Sequence, residues 1–245
     1  MPAAADLDRS QSSPAGRLGV DATLAYPTDE ALLELSPRDF FDRLILEQLQ
    51  AKAMVEGPNF YFGRKRQGNV ELLREYCQQA GLYLEVVPAL EFEGDTVSSS
   101  RVRKLIAAGQ MDSASGMLTH PYRIRGMVVH GAARGSQIGF PTANVSAIDT
   151  LLPGPGVYAG WAYLGKEPWP AAINVGPNPT FGEQALKVEV HIIGYSGSLY
   201  GKPLEVDFLK RLRDIRSFAG VDELRAQLAS DVAQAAEIAK TPSSD

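Results

Sequence analysis

The densest set of residues able to do chemistry lies between His130 and Asn144, in the run His-Gly-Ala-Ala-Arg-Gly-Ser-Gln-Ile-Gly-Phe-Pro-Thr-Ala-Asn. Three glycines, Gly131, Gly135 and Gly139, permit a loop whose backbone N–H groups can approach a phosphate closely, and Arg134 adds a positive charge to it. A turn between two strands is the plainer reading of any single glycine-rich loop. Alternate residues of a strand face the same way, so Thr142 and Asn144 place two neutral oxygen donors side by side. Such donors, completed by phosphate oxygens, suit Mg²⁺, which takes few ligands from protein. The alternative is a Thr/Asn pair that closes a turn.

Other reactive side chains are few. Glu189 stands between Val188 and Val190 on an expected strand and faces opposite to both, toward solvent or toward a polar mouth. His191 shares its face and reads as a neighbour rather than a second base. The other histidines are His130, beside the glycine-rich loop, and His120. Cys77 lies in the amphipathic run Val-Glu-Leu-Leu-Arg-Glu-Tyr-Cys, with no histidine anywhere in residues 1–119 to activate it, and is expected to be a buried thiol. Ser98 to Ser100, followed by Arg101 and Arg103, could cradle an anion at a helix N-terminus or could simply cap that helix. A P-loop is excluded, because Gly165-Lys166 and Gly201-Lys202 are followed by Glu167 and Pro203 rather than Ser or Thr.

Two kinds of element are expected to position these groups. Residues 1–18, rich in Ala, Ser, Asp and Pro, form a disordered lead-in. Residues 19–118 alternate strands (Val20 to Tyr26, Met54 to Glu56, Leu82 to Val87) with helices (Phe40 to Gln50 after an N-cap at Ser36, and the helix of Cys77), the pattern of a doubly wound parallel α/β sheet. Residues 119–245 change texture to short β-branched and aromatic runs at 122–129, 156–163, 169–175, 187–193 and 204–208, a small antiparallel barrel. A C-terminal helix over 221–239 follows, with Leu224, Leu228 and Val232 at helical spacing.

Charge and composition narrow the partners. The chain carries 24 Lys+Arg and 29 Asp+Glu for a net charge of −5. Residues 1–118 hold 12 basic and 17 acidic groups, and the remainder is balanced, so neither part has the basic excess that binds nucleic acid through its phosphates. No apolar run reaches membrane-spanning length, the first residues lack signal-peptide character, and one cysteine does not make a disulfide framework. A reduced, cytoplasmic setting is expected. The sequence is silent on oligomeric state.

Residues 120–240 resemble the riboflavin kinase family. The glycine-rich loop with Gly-Phe-Pro-Thr-Ala-Asn at 139–144, Gly-Val-Tyr-Ala-Gly at 156–160, Ala-Ile-Asn-Val-Gly-Pro-Asn-Pro-Thr-Phe-Gly at 172–182 and Val-Glu-Val-His-Ile at 188–192 occur in the family's order. The resemblance implies Mg²⁺ and ATP as cofactor and phosphoryl donor, riboflavin as acceptor and FMN as product. It makes Glu189 the catalytic base, Thr142 and Asn144 the magnesium and phosphate ligands, and Gly131 to Gly139 the phosphate flap. Arg213 and Phe218, in the run Leu209 to Phe218, match an arginine and an aromatic that close over the flavin ring; Ile215 stands where family members commonly have an acidic residue.

The upstream blocks Gly19-Val-Asp21, Leu35-Ser-Pro37, Gly57 to Gly63 and Val97 to Arg103 resemble the later portion of the FMN adenylyltransferase domain often fused to bacterial riboflavin kinases. That domain carries a histidine motif which this chain lacks, and its start is expected to be missing, with FMN adenylylation lost or very weak. Three functions follow: a riboflavin kinase, a bifunctional enzyme that also makes FAD, and a flavin-binding pseudoenzyme.

Overall fold

Helix starts in the first part of the chain are set by short polar caps. The Ser36 hydroxyl accepts the Asp39 N–H at 3.0 Å with Pro37 at the first helical position, and the Asn69 side chain accepts the Leu72 N–H at 3.0 Å. The computed structural model describes residues 6–8, 18–131, 134–177 and 185–240. It divides into two compact units, Met1–Leu90 and Glu91–Asp245.

In the first unit β1 (Asp6–Asp8) pairs antiparallel with β2 (Thr23–Ala25). The stretch expected to be a lead-in therefore contains a strand, and the rest of residues 1–17 lies outside the described residues. After α1 (Glu30–Leu33) and α2 (Pro37–Asp39), the chain continues over Phe40–Gln48 as a π-helix, with Leu49 N–H bonded to the Leu44 carbonyl at 2.9 Å. β3 (Ala53–Glu56) pairs parallel with β4 (Tyr83–Val86) across α3 (Val70–Ala80), which is the expected βαβ arrangement. Helix α3 ends at Gly81, in the left-handed conformation that favours glycine. The apolar stripe of α3 buries Leu73 and Cys77 against Phe41, Leu44 and Phe62. Cys77 is 1% exposed, and burial raises its thiol pKa, as expected of a buried thiol.

The second unit begins with the hairpin β5 (Glu91–Phe92) and β6 (Asp95–Thr96), followed by α4 (Ser99–Ala108) and α5 (Met111–Leu118). Six strands then close an antiparallel barrel: β7 (Tyr122–Val129), β8 (Ala143–Ser146), β9 (Gly156–Leu164), β10 (Glu167–Gly176), β11 (Lys187–Ile192) and β12 (Pro203–Arg213). Around the wall the order is β7, β8, β11, β10, β9, β12 and back to β7. Closure leaves no unpaired sheet edge. Ile106, Met111 and Ala114 of α4 and α5 join the same apolar core as Ile124, Ile173 and Phe208. That packing is why compactness divides the chain at Glu91, earlier than the change of sequence texture at residue 119.

The barrel's outer wall carries a buried ionic cluster centred on Asp207. Asp207, 3% exposed, accepts Arg123 Nε at 2.5 Å and Nη2 at 2.8 Å, together with the Tyr163 hydroxyl at 2.9 Å. Burial, reinforced by the Asp207 charge, pushes the Tyr163 phenol up to about 12. A pKa raised in the folded state stabilises the fold fully below the ordinary tyrosine value of about 10 and loses that contribution as pH climbs through the folded value. The difference between wild type and Tyr163→Phe in phenolate absorbance is therefore expected to titrate near pH 12. The wild type should also lose more thermal stability than the variant between about pH 10 and 12. A difference titration centred near pH 10 would refute the assignment.

Helix α7 (Val221–Ile238) packs on the outside of β9, β10 and β12. It is the helix expected from the C-terminal pattern, although its buried positions are Leu224, Asp231 and Ala235. Trp161 Nε1 donates to the Ala239 carbonyl at 3.2 Å and fastens the far end.

Candidate active site

Alternation along β11 decides where Glu189 points. Val188 and Val190 are buried in the barrel core, so Glu189 and His191, both half-buried, lie on the outward face. Register then brings residues from distant parts of the chain alongside. Asn144 of β8 is directly opposite Glu189 on one side, and Asn174 of β10 is directly opposite it on the other. Directly opposed residues of antiparallel strands share a face, so two amides flank one carboxylate. The line continues through Val157 on β9 to Arg213 on β12. Two register shifts on β12, between Phe208 and Lys210 and between Arg211 and Arg213, set Arg213 at that place. From Glu189 to Arg213 is three strand spacings, roughly 14 Å along the wall. The line thus presents a carboxylate at one end and a guanidinium at the other, with Val157 between them buried.

The glycine-rich segment lies beside the Asn144 end. Ala132 and Ala133 are outside the described residues, and Arg134–Gln137 forms one helical turn, α6, where a loop is expected. Each glycine has its own reason to be there. A Cβ on Gly131 would fall 2.1 Å from Asn144 Nδ2, and one on Gly135 would fall 2.3 Å from the Phe140 carbonyl and 3.5 Å from Thr142 Oγ1. Gly139 alone takes a positive φ, +91°. Thr142 precedes β8 and lines an open pocket of roughly 290 Å³ together with Ser136, Pro141, Tyr195, Ser198 and Tyr200.

His191 holds this arrangement in place. Its Nδ1 lies 2.8 Å from the Pro141 carbonyl, which can only accept, so Nδ1 carries the proton. Its ring also meets Phe140 edge-on at 5.7 Å. His130 stacks on Tyr200 at 4.0 Å.

Arg213 and Phe218 are brought together, the guanidinium carbon lying 5.6 Å from the ring centroid, with Arg216 at 4.8 Å from the same ring. The run Leu209 to Phe218 begins as the end of β12, and only residues after Arg213 leave the sheet. Ile215 is placed against Gly176, whose added Cβ would lie 3.0 Å from Ile215 Cγ1, so an apolar side chain suits that position. The Asn-Pro-Thr-Phe-Gly part of the block at 172–182 lies outside the described residues from 178 onward.

The serine–arginine cluster resolves as a helix cap. Ser98 Oγ accepts the Arg101 N–H at 3.2 Å, and Arg101 Nη1 donates to the carbonyls of Phe92 and Asp95 at 2.8 and 2.9 Å. These contacts tie Arg101 to the β5–β6 hairpin.

A family model for riboflavin kinase matches residues 118–239, and one for FAD synthetase matches residues 8–101. A bifunctional riboflavin kinase/FMN adenylyltransferase of Pseudomonas fluorescens is 35% identical over 230 residues, covering 94% of this chain and 74% of that protein. The chain belongs to this family. The Escherichia coli K12 member is 35% identical over 220 residues, covering 89% of this chain and 70% of that protein. A solved structure from Streptococcus pneumoniae, described as a macrolide-efflux protein, aligns with TM-score 0.80 at 32% identity, covering 94% of this chain and 73% of that one. Among the described residues no helix is long and apolar enough to cross a membrane. Family membership gives both matched segments a place, the barrel as the riboflavin kinase part and the residues before it as the FAD synthetase part.

Two further residues, Asn174 and Asp231, complete this site. Asn174 becomes a neighbour of Glu189 only through strand register. Asp231 stands seven residues after Leu224, on the buried stripe of α7, and an acid in an apolar stripe is itself a signal.

Proposed function

We propose that residues 119–245 of this chain transfer a phosphoryl group from Mg-ATP to the ribityl 5′-hydroxyl of riboflavin, giving FMN. The observation that carries this reading is the outward line Asn144, Glu189, Asn174, Val157, Arg213, with the glycine-rich segment and Thr142 at one end. Transfer to an alcohol needs positioning, charge neutralisation and one group to take a proton. Glu189 orients the hydroxyl and accepts its proton. Thr142 and Asn144 supply neutral oxygens, and Gly131, Arg134, Gly135 and Gly139 line the phosphate side. Arg213 and Phe218 hold the flavin ring.

The donor chemistry fits magnesium. Among the described residues no group of three or more His, Cys, Asp or Glu could form an all-protein cage. Two neutral oxygens beside one carboxylate instead suit an ion that takes its other ligands from phosphate and water. When bound, Mg²⁺ would neutralise charge on the transferring phosphate.

The FAD synthetase match supports a second reading, in which the chain also adenylylates FMN. We favour a weak or absent adenylyl transfer by this polypeptide, because residues 1–119 hold no histidine to meet charge developing on the phosphates. Incubation of the purified chain with riboflavin and Mg-ATP, resolved chromatographically, separates the readings. FMN alone is expected. FAD as well would overturn the argument from the histidines, and no FMN would make the barrel a flavin-binding pseudoenzyme.

A further inference from the structure

Asp231 is a carboxylate 1% exposed on the buried stripe of α7, where a leucine would cost nothing to desolvate. Its partners account for it. Arg213 Nη2 donates to Oδ2 at 2.7 Å, and Arg213 Nε lies 3.1 Å from each carboxylate oxygen. Gln227 Nε2 donates to Oδ1 at 2.7 Å. The chelated guanidinium is locked in one rotamer, which a lone arginine on a strand end would not be.

The same helix face holds the segment beyond Arg213. Gln227 Oε1 accepts Arg216 Nη2 at 2.6 Å, and Glu223 Oε2 accepts the Ala219 N–H at 3.0 Å. Residues 223, 227 and 231 are four apart and lie on one side of a helix. Three polar side chains of α7 therefore grip three successive parts of the run from Arg213 to Ala219, with Phe218 in between. Arg213 also donates Nη1 to the Asp214 carbonyl at 3.0 Å. Among the described residues these contacts leave an N–H on each Nη atom for a ligand, with the Phe218 ring beside the guanidinium.

We propose that Asp231 is a positioning residue for riboflavin: through Arg213, with Gln227 as its brace, it sets the guanidinium and Phe218 in the geometry that receives the flavin ring. The proposal rests on the riboflavin kinase reading and adds the C-terminal helix to its acceptor site. Asp231 acts on ring binding and leaves the phosphate end, four strand spacings away along that line, unaltered.

The test measures riboflavin affinity of the full chain by quenching of flavin fluorescence, together with KM for riboflavin and for ATP. Asp231→Asn should weaken riboflavin binding about tenfold, the scale of one charge-assisted hydrogen bond, with KM for ATP unchanged. Trp161→Phe, which loosens the other end of α7 by removing the bond to Ala239, is the structural control and should leave riboflavin affinity unchanged. Unchanged riboflavin affinity in Asp231→Asn, or an equal loss in both variants, overturns the proposal. If Asp231→Asn does not fold, Gln227→Met, which removes the brace without stranding a charge, should weaken riboflavin binding about threefold; no change there also overturns it. A wild type that neither binds nor phosphorylates riboflavin is a different result and would sink the functional reading itself.

Discussion

Glu189→Gln is expected to lower the rate of FMN formation by roughly 10²- to 10⁴-fold, the usual contribution of a general base, while melting temperature and riboflavin affinity stay close to wild type. The substitution keeps size and leaves an oxygen between the amides of Asn144 and Asn174, but it removes the group that can take a proton. Because Glu189 lies on the outward face of β11, the core residues Val188 and Val190 are untouched. Single-turnover measurement of FMN formation checks it. Retention of the wild-type rate would show that the hydroxyl loses its proton elsewhere. His191, whose Nδ1 proton is held by the Pro141 carbonyl and whose Nε2 is then the acceptor nitrogen, would be the next base to test. Loss of rate together with loss of fold would instead make Glu189 a structural residue of the barrel wall.

What the sequence reveals follows from whether the signal is local. The alternation in Lys187–Ile192 and the 3.6-residue period of α7 are local, and both elements are where the pattern places them. The serine and asparagine caps at Ser36, Asn69 and Ser98 are likewise legible, because each contact spans three residues. Pairing is not local. Asn144, Glu189 and Asn174 become one cluster only when β8, β11 and β10 close in a particular register, and no short pattern encodes that register. The two register shifts in β12 are invisible for the same reason, yet they decide that Arg213 meets Val157 and ends beneath α7. Helices α4 and α5 show a related gap. Their apolar residues announce burial but not the surface that buries them, and that surface is the barrel. Asp231 was open to inference as an anomaly, an acid where the helix period calls for an apolar residue, whereas its partner on another element was not.

Gly135→Ala is expected to cost about 10²-fold in FMN formation with little change in melting temperature. The new Cβ would stand 2.3 Å from the Phe140 carbonyl, closer than any real contact, and that obstacle is backbone rather than the tip of a flexible side chain. The segment cannot swing aside freely. Phe140 N–H is bonded to the Gly135 carbonyl at 2.8 Å, Pro141 is held by His191, and Thr142 runs directly into β8. Relief must therefore move Phe140 through Thr142 by something near an ångström, and a displacement of that size in a positioning group costs on the order of 10²-fold. Stability is spared because Gly135 lies in a surface turn outside the apolar core. Gly139→Ala separates crowding from backbone preference. Its Cβ would meet nothing within 4 Å, but its φ of +91° disfavours any L-residue, a strain of about 1 to 2 kcal/mol. The smaller activity loss is expected there, read as kcat against KM for Mg-ATP. Equal losses at both positions would mean that mobility of the turn, and not the placement of Thr142, governs phosphoryl transfer.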